Sequence, residues 1–179
     1  DAALLPYRID GHWAMIHRPM TTTGAHMWMS YSPDLRHLGS HKVILEARRG
    51  GWWDANKIGL CSPPIETSKG WLTIYHGVRR TASGSIYRLG LALFDLKRPE
   101  ICLQRGDSWI FGPEADYERS GDVSDVVFGA GIGTFSGIKT VRYARAHPDN
   151  WFDRVLAHAA VGPAPKRGVT VGLHYTAPG

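Results

Sequence analysis

The sequence predicts an all-β fold, and three observations carry that expectation. Apolar and polar residues alternate with period two through most of the chain up to about residue 128, as where Trp71, Thr73 and Tyr75 interleave with Leu72, Ile74 and His76. Clusters of Asn, Asp, Gly, Pro and Ser recur every eight to twelve residues, the spacing that short antiparallel strands require. The 179 residues include 21 glycines and 11 prolines, more than average usage, which means frequent turns and short elements.

Taken in order, the apolar residues from Ala2 onward already read as a strand although the chain opens on Asp1, so the sequence is expected to be an internal piece of something longer. Asp10-Gly11 sits between apolar runs and supplies the positive φ of a tight hairpin, whose second arm carries Trp13 and ends at His17-Arg18-Pro19. His37 and His41 have the spacing of two metal ligands on a helix, but Pro33 and Gly39 argue against a helix there and no metal site is expected. Next comes Trp52-Trp53-Asp54, with Lys57 set between the acid and an apolar run. Lys69-Gly70 predicts a second hairpin, and His76-Gly77 ends its strand.

The two hairpins resemble each other. Gly11 precedes His17, and Gly70 precedes His76, by the same six residues; the glycines lie 59 apart, and a weaker third copy follows Gly137, where Val141 and Tyr143 alternate. Such self-similarity suggests propeller blades of about four strands each, of which roughly two and a half fit here, too few to close a ring. After Phe128 the periodic signal is lost. Gly129-Ala130-Gly131-Ile132-Gly133 matches neither a dinucleotide fingerprint nor a Walker loop and reads as a glycine-rich turn, Trp151 to Ala160 is mildly helical, and a Gly/Pro-rich tail follows. The expected organisation is therefore a β unit over residues 1–128 and an irregular segment over 129–179.

The net charge of +5 is spread without a basic run, which argues against a nucleic-acid partner. Neither a membrane span nor a leader is legible, and Cys61 and Cys102 lack zinc-site spacing, so a reducing, cytoplasmic setting is expected. No G-x-S-x-G elbow occurs, which disfavours serine nucleophile chemistry. Arg18, Lys57 and His76, read as a trio of cations, would together bind a compact oxyanion such as phosphate, Arg through two oxygens and Lys as a point charge. Exposed strand-end charges are the alternative. The seven tryptophans and seven tyrosines invite a sugar-binding reading; Trp13 and Trp71 read as packing residues, while Trp52-Trp53-Asp54 is balanced between core and sugar contact.

These residues form a recognisable series: Asp1-Ala2-Ala3-Leu4, His17-Arg18-Pro19, Ser32-Pro33-Asp34-Leu35, Trp52-Trp53-Asp54 with Lys57-Ile58-Gly59, Pro63-Pro64-Ile65, and Gly70 through Val78. Tyr87-Arg88-Leu89-Gly90, Asp95-Leu96, Tyr117-Glu118 and Val126-Val127-Phe128 continue it. The series closely resembles glycoside hydrolase family 130, the β-mannoside phosphorylases and their relatives, over about residues 1 to 128.

The resemblance implies a partial five-bladed β-propeller with its site in the central depression. It also implies that the family's general-acid Asp and one basic phosphate ligand lie upstream of Asp1, so that no catalytic acid is assigned here. The implied reaction is single-displacement phosphorolysis: inorganic phosphate, a co-substrate rather than a cofactor, attacks the anomeric carbon while an Asp protonates the glycosidic oxygen through a sugar hydroxyl, giving α-mannose 1-phosphate. Carried over by motif, Arg18, Lys57 and His76 are the phosphate ligands, and Tyr87, Asp125 and Phe128 line the sugar subsites; Asp54, from the Trp52-Trp53-Asp54 run, is expected as a further sugar contact. An exo-acting β-mannoside hydrolase of the same family and a noncatalytic sugar-binding fragment are the alternatives. Open blade faces are expected to leave the chain poorly folded or self-associated.

Two departures stand out. Ser124-Asp125 replaces the family's usual Pro-Asn, and Val141 to His147 lacks the acid of its usual Gly-Ala-Ala-Asp, a break that a change of reading frame would also produce.

Overall fold

A computed structural model describes residues 1–113, and the expectations placed on Asp125, Phe128 and the segment 129–179 lie outside the described residues. What is described is all-β, with nine strands and no helix. Strands β1 (Ala2–Leu4), β2 (Trp13–His17), β3 (Met27–Ser32) and β4 (Gly39–Leu45) form one antiparallel sheet in chain order. Strands β5 (Lys57–Leu60), β6 (Ile65–Thr67), β7 (Gly70–Thr81), β8 (Gly84–Phe94) and β9 (Cys102–Arg105) form the second, in the order β5-β7-β8-β9 with β6 also on β7. β5 and β6 lie along the same edge of β7, against residues 75–78 and 70–72 respectively. Between them fall Pro63 and Pro64, which have no N–H to offer a ladder.

Both glycine hairpins form. Asp10 and Gly11 take φ of 47° and 79°, the paired positive values of a type I′ turn, and Ile9 and His12 exchange both backbone hydrogen bonds around them. Gly70 opens β7 after a turn in which the Thr67 hydroxyl donates to its carbonyl at 2.7 Å. The same Thr-x-x-Gly device closes Thr21–Gly24 at 2.8 Å and Thr81–Gly84 at 3.0 Å. The last of these is the β7–β8 hairpin, which the sequence reading did not pick out. The internal resemblance has a topological meaning, because β2 and β7, the strands that follow the matched glycines, are each the second strand of their sheet.

His76 is not at a strand end. It lies in the middle of β7, which runs on through Gly77 and Val78 opposite Arg88 and Tyr87. Gly77 is a packing position, since a Cβ there would meet the side chains of Asp54 and Trp53. The core lies between the two sheets: Ala14, Ile16, Met27, Met29, Ile44 and Leu45 of the first pack with Ile58, Leu60, Trp71, Tyr75, Ala92 and Phe94 of the second. At about 1.5–3 kcal/mol for each large side chain buried, this is the main source of stability. By strand alternation, Lys57, Gly59, His76 and Tyr87 then share the other face of the second sheet.

Candidate anion site

The ladder sets the site out in two rows. Lys57 pairs with Val78 and Val78 with Tyr87, while Gly59 pairs with His76. Arg18, just past the end of β2, reaches over from the first sheet and donates through Nε to Asp1 Oδ2 at 2.6 Å. That same carboxylate oxygen lies 3.6 Å from Nε2 of His76. Gly59 is the floor beneath them: a Cβ there would meet Asp1 Oδ2, and would lie 2.6 Å from His76 Cε1 and 2.9 Å from Arg18 Nε. Lys57 Nζ donates to the Tyr87 hydroxyl at 3.3 Å, and the Tyr87 ring lies 6.3 Å from that of His76. Positions 18, 57, 76 and 87 are thus brought together. Asp1, which the sequence reading did not select, sits among them as an anionic oxygen already held by Arg18.

The electrostatics correct one expectation. His76 is only 1% exposed. Its burial, reinforced by the nearby charges of Arg18 and Lys57, lowers its pKa from 6.5 to about 4. At neutral pH the group is two cations and one neutral imidazole, rather than three cations. A base whose folded pKa is depressed gives stability that is complete above pH 6.5 and is lost as pH falls toward 4. Denaturant titrations of the wild type and His76→Gln should therefore diverge below pH 6.5, the wild type losing up to about 3 kcal/mol relative to the variant by pH 4.

Asp54 is a second correction. Expected to bind sugar, it is wholly buried on the opposite face of the sheet. Its carboxylate accepts from Arg48 Nε at 2.9 Å, Arg105 Nη2 at 2.6 Å and the Tyr75 hydroxyl at 2.9 Å. Trp53 stacks on Tyr75 with ring centroids 5.5 Å apart, and Trp52 carries the Arg48 guanidinium 3.9 Å above its ring. The acid is buried because two guanidinium groups and a phenol satisfy it. His37 and His41 have separate partners, Asp34 at 2.7 Å and the Ser30 hydroxyl at 2.6 Å.

Residues 1–146 match the glycoside hydrolase 130 family, described as beta-1,4-mannooligosaccharide phosphorylase. The chain is 38% identical over 133 residues to a beta-1,2-mannobiose phosphorylase of Listeria innocua, covering 73% of the chain and 36% of that protein. It is 40% identical over 146 residues to a beta-1,2-mannobiose phosphorylase of a Thermoanaerobacter species, covering 82% and 46%. A solved structure of the Listeria innocua beta-1,2-mannobiose phosphorylase with beta-1,2-mannobiose superposes with a TM-score of 0.67 at 39% identity, over 74% of the chain and 37% of that structure. The chain thus spans less than half the length of these relatives.

Proposed function

Because the chain belongs to glycoside hydrolase family 130, we propose that it is the phosphate-binding part of a β-mannoside phosphorylase that transfers the mannosyl group to inorganic phosphate, giving α-mannose 1-phosphate. The observation that carries this reading is the convergence of Arg18 and His76 on one anionic oxygen over Gly59, with Lys57 beside them. Arg18 and Lys57 supply charge, and neutral His76 supplies one N–H. They hold the phosphate and offset the repulsion it meets on approaching an electron-rich sugar. In the reaction a phosphate oxygen bonds to the anomeric carbon as the glycosidic C–O bond breaks, and the leaving oxygen takes a proton, through a sugar hydroxyl, from the family's general-acid Asp.

Tyr87, beside Lys57, is proposed to line the sugar subsite together with Asp125 and Phe128. The two sheets, each with a four-strand antiparallel path, are proposed as consecutive blades of a five-bladed propeller. Cys61 and Cys102 are thiols rather than a disulfide, which supports a reducing, cytoplasmic setting, and no helix of the described residues is long and apolar enough to cross a membrane.

An inverting hydrolase needs a second carboxylate to activate water and has no use for two cations aimed at an oxyanion. A form carrying the family's full length, assayed on β-mannobiose with and without phosphate, should release mannose 1-phosphate only when phosphate is present. Free mannose released at the same rate without phosphate would overturn the phosphorylase reading in favour of the hydrolase.

A further inference from the structure

The anion site of the proposed phosphorylase has a neighbour that its ligand set does not include. Cys61 follows β5, and its N–H donates to Ile74 O at 3.1 Å, extending the pairing of Gly59 with His76 by two residues. By alternation Cys61 then lies on the same face as Lys57, Gly59 and His76, diagonally across from the imidazole. Its Sγ is 3.8 Å from Nδ1 of His76. At the other edge of the ring, Nε2 faces the Asp1 carboxylate oxygen at 3.6 Å.

A neutral imidazole carries one proton, and Cys61 and Asp1 differ in what they offer it. A carboxylate only accepts hydrogen bonds, whereas a thiol is a weak donor. We infer that the Cys61 thiol, by donating to Nδ1, fixes His76 as the Nε2–H tautomer with its proton toward the Arg18 and Lys57 pocket, and is therefore a positioning residue for oxyanion binding. The opposite tautomer would turn a nitrogen lone pair toward the oxyanion. The proton on one ring nitrogen is set by the bond the other makes, and Cys61 supplies that bond across the ladder.

The inference rests on reading the site as an anion site, and its test separates the two. In the protein labelled with ¹⁵N-histidine at pH 7, the His76 signals, assigned through His76→Gln, should show a pyrrole-type Nε2 and a pyridine-type Nδ1. Cys61→Val, similar in size but without a donor, should move both signals toward a tautomer mixture. It should also weaken phosphate binding roughly two- to tenfold, the effect of losing one modest hydrogen bond, with the KM for mannoside unchanged.

A wild type already protonated on Nδ1 overturns the inference, as does a Cys61→Val spectrum identical to that of the wild type. An Nδ1–H wild type overturns the inference even if the variant fails to fold. If the Nε2–H tautomer holds and responds to Cys61 while phosphate moves no His76 signal, the tautomer assignment stands and the phosphate reading is the one that fails.

Discussion

Replacing Asp54 by alanine is expected to remove about 3–5 kcal/mol of stability, a large part of what a domain of this kind possesses. The carboxylate is completely buried and holds two guanidinium groups and a phenol that approach from three parts of the chain: Arg48 after β4, Arg105 in β9 and Tyr75 in β7. Without it, two like charges face one another in a nearly dry space beneath Gly77, and the Tyr75 hydroxyl loses its acceptor. Asp54→Asn should fall between wild type and alanine, because the amide keeps one acceptor oxygen but turns an N–H₂ group toward an arginine.

Asp107 is the internal control. It also pairs with Arg48, at 3.0 Å, but its side chain is 83% exposed, so Asp107→Ala should change stability by less than about 1 kcal/mol. Chemical denaturation of the three variants measures the difference, and equal losses for Asp54→Ala and Asp107→Ala would show that the buried cluster is not what holds these segments together.

The same cluster shows where the sequence was legible and where it was not. Alternation marked the strands, Asp10-Gly11 marked a turn that forms as read, and the spacing of glycine and histidine identified two strands that occupy equivalent places in their sheets. The fate of Asp54 was not legible, because its partners lie 6, 21 and 51 positions away and only the assembled sheet brings them together. Gly77 misled for a related reason: a glycine that ends a strand and one that admits a tryptophan ring look alike in sequence.

Asp1 was missed through register. The Ile9–His12 pairing around the turn, continued regularly, would set Asp1 opposite Met20, yet Ala2 pairs with His17 and the Arg18 N–H donates to Asp1 O at 3.1 Å. Pro6 lies in the stretch where the register shifts and has no N–H for the ladder. The candidate ligands Arg18, Lys57 and His76 were found by residue type and resemblance, but the neutrality of His76 follows only from burial beside two cations.

That neutrality shapes the remaining expectation. In a form carrying the family's full length, Lys57→Ala should raise the KM for phosphate roughly ten- to a hundredfold, the usual worth of one charge-assisted hydrogen bond, and leave the KM for mannoside within about twofold. His76→Ala should act in the same direction but more weakly at pH 7, since a neutral N–H donor is lost rather than a charge. The Lys57 defect should also depend on pH in a defined sense. Lys57 is one of the charges that depress the His76 pKa, so removing it lets His76 protonate at higher pH than in the wild type. Imidazolium then replaces part of the missing charge as the solution is acidified, and the ratio of variant to wild-type KM for phosphate should shrink from pH 7.5 to pH 4.5. Initial rates at varied phosphate across that range measure it. A ratio that stays constant with pH, or an equal loss toward mannoside, would mean that Lys57 supports the sheet rather than the anion.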